Sequence, residues 1–122
     1  GGLYWTKGEG GVPQIWGDAS DINLNFRPQP PIPPEAWATH GALKECQGTG
    51  MGFNLWRMAM FRDKRLRQPW FKTIAGAEGV GTQDLYAWND FRKHGYRCAI
   101  ACDVPVGHYD LSGSFGPPDT MW

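Results

Sequence analysis

Between residues 82 and 94 (TQDLYAWNDFRKH), Leu85, Trp88 and Phe91 recur at every third position among polar neighbours. That spacing lines one face of an α-helix. Thr82 is a good N-cap residue and Gly95 a good C-terminal stop, so a helix is predicted over 82–94. The period then changes to two. Tyr96, Cys98, Ile100, Cys102 and Val104 alternate with Arg97, Ala99, Ala101 and Asp103, which predicts a strand with its larger apolar residues on one face, ended by Pro105. A second alternation, Met51, Phe53 and Leu55 within 49–55, predicts another half-buried strand. Leu55, Met58 and Phe61 lie three apart and carry it into one or two helical turns. At the N-terminus, GLYWTK (2–7) and VPQIW (12–16) flank Gly8-Glu9-Gly10-Gly11 and read as a β-hairpin.

Elsewhere periodicity is lost. From Asp18 to Thr39 no pattern holds, and the Pro-rich stretch 27–34 (RPQPPIPP) is a stiff loop, because proline lacks a donor and fixes φ. The Gly107-His108-Tyr109-Asp110 segment reads as a turn and the tail from Ser112 to Trp122 as irregular. The expected class is α/β: a small mixed sheet, one main packed helix and long irregular loops. Residues 1–122 form one domain or a fragment, and a chain opening on a strand-like run without an initiator Met favours a fragment of a longer or processed protein.

Composition narrows the function. The chain has 122 residues, 41% of them hydrophobic, and seven are Trp, which is too apolar for disorder despite seventeen Gly and ten Pro. Twelve cations balance twelve acids, so no general field attracts nucleic acid or anionic lipid. Arg57, Arg62, Lys64, Arg65, Arg67 and Lys72 cluster around one acid, Asp63, and read first as a solvated helix end, with a phosphate or headgroup patch as the alternative. No apolar run approaches the roughly 20 residues that cross a bilayer, and no targeting segment is visible. Cys46, Cys98 and Cys102 are an odd number at spacings unlike a disulfide framework, which favours a reducing compartment, and a cytoplasmic location is expected.

Candidate chemistry begins with Asp84 in the first turn of the predicted helix. The helix carries the chain away by about 16 Å at 1.5 Å per residue. A strand returning antiparallel comes back roughly 20 Å at 3.3 Å per residue. His108 should therefore arrive near Asp84, giving an acid and a histidine in one cleft. The plainer role of each is a helix-dipole partner and a hydrogen-bonded surface residue.

The order GMGFNLWRMAMF (50–61), PWF (69–71) and GTQDLYAWNDFRKHGYRCAIACDVPVGHYD (81–110) resembles the C-terminal half of an inverting, GT-A-fold glycosyltransferase of the family-2 type. The GLYWTK and VPQIW runs are also similar to the strand pair such proteins carry after their metal-binding segment. The resemblance implies that Asp84 is the general base, taking a proton from an acceptor hydroxyl. It implies that His108 completes coordination of Mn²⁺ or Mg²⁺ on the diphosphate of a nucleotide-sugar donor, and that Trp70 and Phe71 face the acceptor, a glycan or other hydroxyl compound. Where the family pattern has Glu-Asp this chain has Gln83-Asp84, and no Asp-x-Asp occurs in it. A half-fold of this kind would be inactive alone, and its open edge favours a homo-oligomer. Two other classes compete: a non-catalytic carbohydrate-binding module built on the Trp residues, or a structural module. A zinc site from His94, Cys98, Cys102 and His108 is disfavoured, since Cys98 and Cys102 lie about 13 Å apart on a strand.

Overall fold

Strand β4, Cys98–Pro105, carries the sheet; from Cys98 to Cys102 its alternation is the one its residues predict, while Tyr96 precedes the strand and Val104 is exposed. Cys98, Ile100 and Cys102 are buried on one face, while Ala99 and Ala101 point to the other. The computed structural model describes residues 1–3, 13–27, 43–76, 81–106, 108–110 and 113–115, the last two segments by their strand pairing alone. Strand β1, Gly2–Leu3, pairs parallel with β4, with Gly2 opposite Ala101. On the other side β3, Leu43–Thr49, runs antiparallel to β4, with Cys46 opposite Cys98, and β2, Ile15–Asp18, closes the sheet antiparallel to β3. The order is β1-β4-β3-β2, a four-stranded mixed sheet. With the one α-helix among the described residues, this is the small mixed α/β architecture expected.

The predicted hairpin is not formed by its described parts. Gly2–Leu3 and Ile15–Asp18 lie at opposite edges of the sheet, and residues 4–12 lie outside the described residues. Strand-forming residues specify an extended backbone but not its partner. Leu3 becomes fully buried through β4, and the Leu3 carbonyl accepts from Val106 N at 2.7 Å.

The strand predicted over 49–55 is also displaced. β3 ends at Thr49, and residues 51–57 are irregular, with Phe53 and Leu55 exposed, Leu55 to 96%. Gly50 and Gly52 break the extended run, Asn54 Nδ2 donates to Gly50 O at 2.9 Å, and Gly2 N donates to Phe53 O at 3.0 Å. The helical turns do follow, as a 3₁₀ helix over Met58–Arg62 that buries Met60. The observed β3 sequence, LKECQGT, is mostly polar. Gln47 is nevertheless fully buried because its amide is satisfied: Oε1 accepts from Phe26 N at 3.0 Å and Nε2 donates to Asp21 O at 2.6 Å. That side chain ties the irregular segment 19–27 to the sheet.

Helix α1, Gln83–Lys93, matches the predicted span. At its C-terminus Gly95 adopts φ +85°, Tyr96 N donates to Phe91 O and Gly95 N to Arg92 O, the paired bonds of a Schellman stop. Of the predicted stripe, Phe91 and Trp88 are buried and Leu85 is partly so. Trp88 lies against Gly48, where an added Cβ would come within 2.9 Å of the indole, and its Nε1 donates to Thr49 O at 2.7 Å. Trp56 stacks on Trp88 with ring centroids 5.0 Å apart, and Phe61, Trp70, Phe71 and Phe91 complete an aromatic cluster beneath the helix. Within the turn expected at 107–110 and the irregular tail expected after it, the described residues are strands: β5, His108–Asp110, pairs antiparallel with β6, Gly113–Phe115, and 107, 111–112 and 116–122 lie outside the described residues.

Two substitutions test this packing. Trp88→Ala should cost about 3–5 kcal/mol through lost contacts and a cavity. Gly48→Ala should cost about 1–3 kcal/mol, because the methyl group enters the indole's space. Urea denaturation measures both, and a Gly48→Ala variant as stable as the parent would show that the helix does not sit on β3 at this point.

Candidate functional site

Asp84 is placed by the segment that leads into α1. Ile74 and Gly81 form a two-way backbone bridge, at 2.9 and 3.0 Å, which brings the chain to Thr82 in extended conformation. Thr82 does not cap the helix through its hydroxyl. The hydroxyl instead donates to Asp84 Oδ1, which also accepts from Leu85 N at 3.0 Å. The carboxylate thus stands in the first turn, where the helix dipole favours negative charge, and it is only partly buried. A carboxylate so held can accept a proton from a hydroxyl presented to its open side.

Beside this turn runs the basic segment, whose cations are mostly exposed but of which Arg65 and Arg67 make internal contacts. Arg67 donates to Tyr86 O, its guanidinium carbon lies 3.6 Å from the centroid of the Tyr86 ring, and its backbone N donates to the buried carboxylate of Asp90 at 2.9 Å. Arg65 forks onto Asp63, with Nε and Nη2 both within 3.0 Å of its oxygens, and Tyr96 Oη donates to Asp63 Oδ2 at 2.8 Å. The Arg65 side chain, then the Arg65 backbone N–H and the Tyr96 hydroxyl, hold the Asp63 carboxyl well below the usual carboxylate range. The same bond raises the Tyr96 hydroxyl. Arg67 therefore joins the residues after the 3₁₀ helix to α1, and Asp63, held by Arg65, joins them to Tyr96 just ahead of β4.

Trp70 and Phe71 sit differently from one another. Trp70 is half-buried with its ring 4.9 Å from Phe61, edge to face, whereas Phe71 is 37% exposed and packs edge to face with Trp56 and Phe91 and at a tilt with Phe61. Phe71 is the ring that presents surface. The described Trp residues, 16, 56, 70 and 88, are all buried or half-buried. His108 opens β5, opposite Phe115 and three positions beyond the end of β4, but its side chain lies outside the described residues, and so does its approach to Asp84.

Among the described residues no three His, Cys, Asp or Glu side chains converge to hold a metal ion. His94 Nδ1 is instead 2.9 Å from Asp90 O, and the Cys98 sulfur is 3.6 Å from that of Cys46. No described helix is long and apolar enough to cross a membrane.

Two features had escaped sequence reasoning. One is Cys46 facing Cys98, since strand register is not written in residue spacing. The other is a groove of about 360 Å³ on the sheet face opposite α1, lined by Leu43, Phe53, Leu55, Ala99, Ala101 and Val104. The alternation of Ala99 and Ala101 in β4 was its only signal. No protein-family model, curated protein or solved structure matches the chain.

The Asp63 cluster sets an acid response. Its folded pKa is depressed, so the stability it supplies is complete above the ordinary carboxylate pKa of about 4 and is lost as pH falls through that range toward the folded value. Asp63→Asn should lower the urea midpoint at neutral pH, and its deficit relative to the parent should shrink as pH falls below about 4. An equal deficit at both pH values would remove the charge from the account.

Proposed function

We propose that this chain is the acceptor-side portion of an inverting, metal-dependent glycosyltransferase of GT-A type, with Asp84 as its general base. One observation carries this reading: a single carboxylate held at the open first turn of the helix that feeds, through a glycine stop, into the central strand whose continuation bears His108. A mixed sheet with β4 parallel to β1 and antiparallel to β3 is compatible with it. The order of PWF, QD and GH along the sequence supports it further.

On this reading Asp84 Oδ accepts the proton of the acceptor hydroxyl as that oxygen attacks the anomeric carbon of a nucleotide sugar. The bond to the diphosphate breaks on the opposite face, so the configuration inverts. Thr82 and the Leu85 N–H engage Oδ1, and among the described residues no hydrogen bond to Oδ2 competes with the acceptor. Gln83 contributes no second carboxylate, so one residue carries the proton transfer. Phe71 offers its exposed surface to sugar C–H groups, with Phe61 behind it. His108 would hold a divalent cation, which supplies neutralisation of the diphosphate charge when bound. No Asp-x-Asp lies within these 122 residues, so the nucleotide is taken by another part of the polypeptide.

In a polypeptide that carries both portions, Asp84→Asn should lower transfer from a nucleotide sugar by about 10²–10⁴-fold with donor binding retained. His108→Ala should weaken Mn²⁺-dependent donor binding. Unchanged turnover in Asp84→Asn, or glycan binding by the parent that needs neither nucleotide sugar nor metal, would replace the transferase with a binding module.

A further inference from the structure

Cys46 and Cys98 are direct register partners in the antiparallel pair β3–β4, and both side chains point to the face covered by α1. Residues directly opposite in such a pair have Cα atoms about 4.5 or 5.5 Å apart, according to whether they share hydrogen bonds. Either value falls within the roughly 4.4–6.8 Å that a disulfide spans. The sulfurs are already in contact at 3.6 Å, and both cysteines are buried, at 0% and 3% exposure. Cys102, four residues further along β4, is roughly 13 Å from Cys98 at 3.3 Å per residue, which leaves it out of reach.

We infer that Cys46 and Cys98 are a dithiol pair that closes to an intramolecular disulfide across the two central strands when the chain meets a hydroperoxide. The Arg92 guanidinium, held by the carbonyls of Tyr96 and Ala19, contributes positive charge beside the pair. The contact with Cys98, and then the N-terminal ammonium and Arg92, favour the thiolate at Cys46 against the burial that opposes it, while the contact with Cys46 and burial hold the proton on Cys98. Cys46 is therefore the attacking sulfur. Its sulfur attacks the distal oxygen of the peroxide and forms the S–O bond of a sulfenic acid as the O–O bond breaks, and the other oxygen departs with a proton as water or an alcohol. Cys98 then attacks the sulfenic sulfur of Cys46, and the hydroxide expelled takes the Cys98 proton as water. Two thiols lose two electrons and the peroxide gains them. Burial slows the step and restricts it to a small oxidant entering through local opening of the strands, without altering which sulfurs meet. The inference is independent of the proposed glycosyl transfer.

The test is a thiol count on the folded full chain, treated with hydrogen peroxide, quenched and alkylated in denaturant. Three reactive thiols should fall to one, a peptide joining Cys46 to Cys98 should appear in the proteolytic map, and dithiothreitol should restore all three. The oxidised chain should unfold roughly 5–15 °C higher, because the bond closes a long loop. Cys102→Ser should give the same cross-link, and Cys98→Ser should leave a sulfenic acid at Cys46 that dimedone captures. Should Cys98→Ser not fold, the map of the parent and of Cys102→Ser decides alone. Three alkylated thiols after treatment, a linkage through Cys102, or an oxidised chain that unfolds no higher than the reduced one would overturn the inference.

Discussion

The indole of Trp88 occupies the volume that any side chain at residue 48 would need, and its N–H reaches the carbonyl of Thr49 just as β3 ends. Much of the described fold is placed by that contact. It sets the height of α1 over the sheet, and it gives Trp56 a flat surface on which to stack as the chain leaves β3. Phe91, one turn further along the helix, extends the same surface toward Phe61 and Phe71. A tryptophan in such a position contributes both large apolar burial and one directed hydrogen bond, so it limits sliding as well as separation.

Asp84 precedes Trp88 by one helical turn, so fixing the indole also fixes where the carboxylate stands relative to the end of β3. The cations that might have formed a binding patch reinforce this placement from outside. Arg67 spans Tyr86 and Asp90 on the helix, and Arg65 locks Asp63 to Tyr96 beyond its stop. The exposed first turn therefore rests on a heavily braced base. That combination suits a side chain that must meet a substrate in one orientation.

What could be read from the sequence follows how local each determinant is. Helix α1 was legible because its stripe, first-turn acid and glycine stop all lie within fourteen residues. Strand β4 was legible because one face is buried and the alternation holds from Cys98 to Cys102. Strand β3 was not, since Lys44, Glu45 and Gln47 mask it, and Gln47 is tolerated only through bonds to residues more than twenty positions away. Alternation in Met51, Phe53 and Leu55 misled because glycines on either side of Met51 end the extended backbone before those side chains can pair. The partner of each terminal strand is a tertiary fact, and so is the meeting of Cys46 with Cys98. Of the candidate site, the place of Asp84 was legible as a first-turn acid, while its chemical role came from resemblance alone.

Gln47 has a consequence beyond holding the segment 19–27. A slip of β3 by one residue against its neighbours would exchange its two faces, since side chains alternate with a period of two. The amide would then turn toward the aromatic layer, and the Phe26 N–H and Asp21 carbonyl would lose the partner they now share. Both errors would cost free energy at once. A buried polar residue in a strand that also carries lysine and glutamate thus acts as a proofreader of pairing, rejecting during folding the alignments that a purely apolar strand would accept.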